Sequence, residues 1–135
     1  MPKVDVSKLW TANYRLVVSI IMEVNPLLAD LQIDVKELMI LGALDENPHP
    51  AGLSESLFIP KPSVTMYVKQ LEKNGLVKRE IDSSDLRRFK LTLTADGKRT
   101  LAKGNALFIA RFEQRLAHLT HAQQVEFKAL IDQMI

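Results

Sequence analysis

Cysteine is absent from the 135 residues, which excludes disulfides, thiolate metal sites and thiol redox sensing for this chain. Long hydrophobic runs are missing too. No stretch approaches the roughly 18 apolar residues of a membrane span. The opening Met1-Pro2-Lys3-Val4-Asp5 has no apolar core ahead of a small-residue cleavage site. A soluble, cytoplasmic protein without membrane contact is expected. There is no internal repeat and no low-complexity segment. The chain also lacks a nucleophile elbow, a phosphate-cradling glycine loop and paired carboxylates at informative spacing, so neither a catalytic residue nor a cofactor is expected. His118 and His121 stand three apart, but they straddle a helix break at Leu119-Thr120 without cysteine or dense carboxylate company, and no metal site is assigned.

What is present is apolar and unevenly charged. With 47% hydrophobic residues, a chain of this length can bury the core of one small domain, and residues 1–135 are read as a single domain. The net charge of +2 is too small to imply a nucleic-acid partner, yet its distribution is lopsided. Between Lys61 and Lys103, eleven Lys or Arg stand against five Asp or Glu, whereas the rest of the chain has seven basic and eleven acidic residues. A run of charge alone is ordinarily a solvated face. This one coincides with the most structured signal in the sequence.

That signal is residues 60–94. Val64, Val68 and Leu71 recur at helical spacing from Pro62, and the pattern stops at Asn74-Gly75, where glycine supplies a left-handed cap. Ser63, Thr65, Met66, Lys69 and Lys73 then face outward. Leu76–Ile81 and Phe89–Thr94 read as the two strands of a hairpin around a polar loop, Asp82–Arg88, that ends in two arginines. Helix, strand, basic loop, strand is the winged-helix arrangement. It sets a helix that fits the major groove beside a cationic loop that can reach the neighbouring minor groove, so double-stranded DNA is the expected partner. The competing reading is a winged-helix module that binds protein without operator DNA.

Pro62-Ser63-Val64-Thr65, Leu71-Glu72-Lys73-Asn74-Gly75-Leu76-Val77, Asp82 with Asp85-Leu86-Arg87-Arg88, and Leu93-Thr94-Ala95-Asp96-Gly97 together resemble the MarR family of bacterial transcription regulators. The likeness runs in register through the hairpin, and the flanking helices extend it over nearly the whole chain. It implies a sequence-specific regulator, a homodimeric repressor of an inverted-repeat operator. Ser63, Thr65 and Met66 would meet base edges, while Lys61, Lys69 and Lys73 touch phosphates and Pro62 lies in the same interface. In the family's D-x-R pattern Arg87 resembles a wing-tip finger for the minor groove, with Asp85 holding the wing and Arg88 beside it. Met66 stands where the family frequently has arginine, so contact with a thymine methyl replaces a guanine contact. Phe58 stands at the turn before this helix, where a small residue is usual.

The flanks complete the expected fold, mainly α with a small β-hairpin wing. A helix over residues 7–31 opens at Ser7 as N-cap, and Pro26 should kink or end it near Val24 or Asn25. Its apolar residues surround it instead of forming one stripe, and 135 residues are too few to cover it, so a second copy is the expected cover. Asp34 with Glu37 forms a capping-box pattern for a core helix reaching Asn47-Pro48. A short helix, Ala51–Leu57, completes the helix-turn-helix, with Leu53, Leu57 and Ile59 packing on the next helix. Thr94 caps a helix to about Leu119, and Thr120 with Gln123 caps the last. Residues 34–94 are thus the winged-helix DNA-binding region, and 7–31 with 95–135 are dimerisation helices, which the resemblance also implies. Some family members bind small phenolic or aromatic acids, and Trp10, Asn13 and Tyr14 are the residues that could line such an effector pocket; the aromatics among them, at helical spacing, also suit packing.

Overall fold

The computed structural model describes all 135 residues. Six helices and one hairpin follow in order: α1 (Val6–Leu28), a 3-10 turn (Ala29–Leu31), α2 (Val35–Ala43), α3 (Pro50–Leu57), α4 (Lys61–Lys73), β1 (Val77–Ile81), β2 (Phe89–Leu93), α5 (Ala95–Leu116) and α6 (His121–Met134). They fall into two compact units. One comprises Met1–Val24 and Ala106–Ile135, the other Asn25–Asn105.

The second unit contains most of the core. Leu28, Ile33, Leu38, Ile40, Leu41, Leu44, Leu53, Ile59, Val64, Val68, Leu71, Leu76, Val77 and Leu91 are buried. Among them are Val64, Val68 and Leu71, which the helical spacing singles out, and Leu53 and Ile59, which are expected to pack on them. Leu57, expected among them, is only half-buried. Asp34 and Glu37 form the reciprocal capping box: the Glu37 N–H donates to Asp34 Oδ1 at 2.8 Å, and the Asp34 N–H to Glu37 Oε1 at 3.3 Å. At the other side of the unit, the Thr94 hydroxyl accepts from the Gly97 N–H at 3.0 Å and donates to the Gly75 carbonyl at 2.6 Å. One side chain thereby starts α5 and holds the turn that leaves α4.

The first unit is almost without a core of its own. Of the buried hydrophobic residues only Ile20 and Val24 belong to it, and α6 buries none. Phe112 and Phe127 meet edge to face at 6.3 Å. Glu23 is held by Arg115 at 2.7 and 2.9 Å and by Arg111 at 3.5 Å. The Arg115 hydrogen bonds hold the Glu23 carboxyl below its ordinary range. Thr120 and Gln123 form the expected capping box of α6.

Four boundaries differ from those read from sequence. Asp5, not Ser7, opens α1, for its carboxylate accepts from the Lys8 N–H at 3.1 Å. A carboxylate satisfies an orphan donor and complements the helix dipole together, an advantage the serine hydroxyl lacks. The helix also passes Pro26 and ends at Leu28. Proline removes one backbone bond, and the fully buried Leu28 anchors the turn that follows it. α2 stops at Ala43, short of Asn47, with the chain leaving in a turn. α5 stops at Leu116, where tightened bonds from the His118 and Leu119 N–H groups to Arg115 and Leu116 carbonyls close it.

Candidate nucleic-acid interface

α4 owes its orientation to three buried residues on one side, Val64, Val68 and Leu71. The opposite side is left to solvent. Lys61, Pro62, Thr65, Met66, Lys69 and Lys73 are exposed, and Ser63 is half-exposed. The Thr65 hydroxyl donates to the Lys61 carbonyl at 3.1 Å, so toward solvent it offers an acceptor and a methyl group. The helix ends as its sequence requires: Gly75 takes φ +74°, and the Leu76 N–H returns to the Leu71 carbonyl at 2.9 Å.

β1 and β2 pair antiparallel from Val77 opposite Leu93 to Ile81 opposite Phe89. Arg79 bridges helix and hairpin, its Nε 2.7 Å from Glu72 Oε1 and its guanidinium 4.3 Å above the Phe89 ring. It is therefore engaged structurally. Lys78 likewise pairs with Glu80 at 3.3 Å, and Arg99 pairs with Asp96. Lys61, Lys69, Lys73 and Arg88 have no carboxylate within ion-pair distance. These cations are unneutralised on the outer side of α4 and in the wing, and are available to phosphates.

The wing loop is shaped by two aspartates. Asp85 Oδ1 accepts from the Arg87 N–H at 3.1 Å and lies 3.6 Å from Arg87 Nε. Asp82 is buried, a role the sequence reading did not give it. Its Oδ1 accepts from the Ser84 N–H at 2.9 Å and hydroxyl at 2.6 Å, and its Oδ2 lies 3.3 Å from His49 Nε2. The other ring nitrogen of His49, Nδ1, is 3.1 Å from the Phe89 carbonyl. Next to it, the Leu91 N–H donates to the Pro48 carbonyl at 2.8 Å. Residues 48 and 49, ahead of α3, thus clamp both the outer edge of β2 and the base of the wing. Nothing local in the sequence signals this, because the partners lie more than thirty positions apart.

Hydrogen bonds from Ser84, then the nearby His49 and Arg88, hold the Asp82 carboxyl below its ordinary value of 3.8. A depressed carboxyl contributes order that is fully present above the ordinary value and lost as pH falls through the lower, folded one. The wing should keep its form through the neutral range and loosen only in acid. Asp82→Ala is expected to raise amide exchange at Ser84, Asp85 and Arg88 about fivefold at neutral pH, since the Ser84 N–H and hydroxyl both lose the acceptor that holds the loop. Unchanged protection at those amides, measured by hydrogen exchange, would remove Asp82 from this role.

Trp10, Asn13 and Tyr14 all lie on α1 in the first unit, and all three are exposed.

A short helix, a sharp turn, an outward-facing second helix and a two-stranded wing with an exposed arginine at its tip define a winged-helix DNA-binding protein. A family model described as "MarR family" matches residues 31–88. The chain is 31% identical over 126 residues to the HTH-type transcriptional repressor Rv2887 of Mycobacterium tuberculosis, covering 90% of this chain and 88% of the relative. The solved structure of Rv2887 in complex with salicylic acid superimposes with a TM-score of 0.76 at 27% identity, covering 98% of each chain. The S. aureus MepR–DNA complex, at 19% identity and TM-score 0.75 over 98% and 97% of the two chains, shares the fold. The chain belongs to the MarR family and is a DNA-binding regulator of transcription.

Proposed function

We propose that the protein is a homodimeric repressor in which each protomer reads one half of an inverted-repeat operator, and that a small aromatic acid releases it. The observation that carries the DNA reading is α4 with its outer side set with unpaired lysines, next to a wing whose Arg87 side chain is 93% exposed. Ser63, Thr65 and Met66 take the base edges, and Lys61, Lys69 and Lys73 take phosphates, with Pro62 in the same surface. Binding and release are the whole of the activity, with no catalytic step, and the setting is the cytoplasm.

Dimerisation through the N- and C-terminal helices is supported by the first unit. It exposes Leu9, Trp10, Tyr14, Val17, Ile109 and Val125 and has almost no core. Hydrophobic area of this kind favours burial against a second copy, and folding and association are then linked. The salicylic acid in the Rv2887 structure supports a similar ligand here, for which Trp10, Asn13 and Tyr14 supply aromatic faces and an amide.

A random-pool DNA selection with purified protein is expected to return an inverted repeat with half-site centres about 10 base pairs apart. Light scattering is expected to give twice the chain mass at micromolar concentration. Replacing Thr65 should change the bases preferred, whereas replacing Lys69 should weaken all sequences alike. A folded monomer would end the two-half-site reading, and selection without enrichment would end the operator reading. Salicylate that leaves the operator complex intact at millimolar concentration would remove the effector.

A further inference from the structure

Phe58 has a placement that no contact within the chain explains. It sits at the end of α3 with φ 55° and ψ 38°, a left-handed conformation that normally selects glycine. Its ring gains nothing within the chain, for the residue is 92% exposed. The turn around it is firmly built. The Phe58 and Ile59 N–H groups both donate to the Ser54 carbonyl, the second at 3.3 Å, and the Ser54 hydroxyl donates to the Ile59 carbonyl at 2.6 Å. Ile59 is buried. These bonds fix the backbone on both sides, so the phenyl group is held out to solvent by a rigid turn. A large aromatic thus occupies a position where its backbone is strained and its side chain unburied, and where glycine would relieve both.

Its surroundings along the chain suggest what it meets. Phe58 stands two residues before Pro60, the cap of α4, and consecutive Cα atoms are 3.8 Å apart, so it lies within about 8 Å of the start of that helix. The N-terminal residues of a reading helix are those that approach base edges. Around that start the exposed apolar groups are Phe58, Pro60, Pro62 and Met66, with the unpaired Lys61 among them. This is an apolar edge with a cation on it, continuous with the DNA-reading surface. In the major groove the apolar feature of a base pair is the C5-methyl of thymine, and phenylalanine is among the side chains that contact it.

We propose that Phe58 is a specificity-determining residue that packs on a thymine methyl at the edge of each half-site. The inference rests on the DNA-binding reading above. Its chemical content is van der Waals contact and exclusion of water from a methyl group, so deletion of either partner should remove the same increment. Removing one buried methyl is worth about a fourfold change in affinity.

The test is a cycle of two deletions. The operator recovered with the parent protein is remade with deoxyuridine in place of each thymine in turn, which removes only the methyl. Parent and Phe58→Gly are titrated against each duplex. The parent is expected to lose about fourfold at one thymine per half-site besides the one assigned to Met66. Phe58→Gly should already have lost a similar factor and be indifferent to that methyl. Phe58→Gly should also melt no lower than the parent, because glycine accepts the left-handed turn. If it does melt lower, Phe58→Asn, which also tolerates this backbone, takes its place in the cycle. A variant that binds as well as the parent overturns the proposal. So does a variant that is weaker yet as sensitive as the parent to every deoxyuridine, since the ring would then rest on sugar and read no base. Failure of the parent to select any duplex would instead be failure of the DNA-binding reading, which the first step of the experiment separates.

Discussion

Gly97→Ala is expected to destabilise the fold by about 3 kcal/mol or more, the largest effect of a methyl group added at any glycine of this chain. A Cβ built on Gly97 would stand 2.0 Å from the Leu76 carbonyl oxygen and 3.0 Å from its carbon. The obstacle is backbone and has no rotamer into which to retreat. Nor can that backbone shift freely. The Leu76 carbonyl accepts from the Thr94 N–H at 3.0 Å, the Leu76 N–H bonds Leu71, and Leu76 is buried. The contact joins the first turn of α5 to the exit of α4, so relief at one side would disturb the cap that aims the reading helix. Two other glycines supply the scale. At Gly104 the Cβ would meet Leu38 Cδ1 at 2.5 Å, a side-chain end that can rotate away at some cost. At Gly42 the nearest atom is Leu101 Cδ1 at 3.7 Å, an ordinary contact. Gly42→Ala should be neutral or stabilise by up to about 1 kcal/mol through helix propensity. Urea unfolding of the three alanine variants should rank them in that order, and a Gly97→Ala protein as stable as Gly42→Ala would refute the packing account.

Gly97 also shows where sequence reasoning runs out. It belongs to the stretch Leu93–Gly97 that carries part of the family resemblance, but no local pattern says why glycine stands there. The reason is a carbonyl twenty-one positions earlier. Elements whose logic is local were legible. Val64, Val68 and Leu71 are buried as their spacing required, and Gly75 is left-handed. The hairpin ends within one residue of the expected limits, and the Asp34–Glu37 and Thr120–Gln123 boxes are both formed. Elements that depend on competition or on distant partners were not. Asp5 displaced Ser7 as a cap, burial of Leu28 carried α1 past Pro26, and the His49–Asp82 clamp joins segments with no sequence signature in common. The charge count between Lys61 and Lys103 does not tell paired cations from unpaired ones. The structure separates Arg79, Lys78 and Arg99, which are paired, from Lys61, Lys69, Lys73 and Arg88, which are not. At Phe58 the departure from a small residue was visible in sequence, while the strained and exposed conformation that gives it meaning was not.

Arg87→Ala is expected to weaken operator binding by on the order of 1 to 3 kcal/mol per protomer and to lower its salt dependence, with Arg88→Ala doing less. The two residues are adjacent and both exposed, so charge alone predicts equal losses. Geometry does not. Asp85 Oδ1 fixes the Arg87 N–H at 3.1 Å, which sets the direction in which that side chain leaves the loop. Its side chain is 93% exposed and its Nε pairs only with Asp85, at 3.6 Å. An ion pair so open to solvent holds the arginine weakly, by less than about 1 kcal/mol, and yields readily to a stronger anionic field. A narrow, A·T-rich minor groove supplies one, and a weakly hydrated, planar guanidinium enters it with little desolvation cost. Arg88 differs in that its backbone closes the loop from both sides, its N–H bonding the Asp85 carbonyl at 3.0 Å and its carbonyl accepting from Asp82 at 3.1 Å. Its role in loop closure is therefore made by the main chain and survives the loss of its side chain. Neither variant removes a core residue, so both should keep the parent's melting temperature and oligomeric state. Asp85→Ala should fall between them, retaining the arginine while loosening its aim. Titration of each against one operator at several salt concentrations tests the scheme. Equal and small losses for Arg87 and Arg88 would mean that both are solvated loop charges and that the wing does not enter the groove.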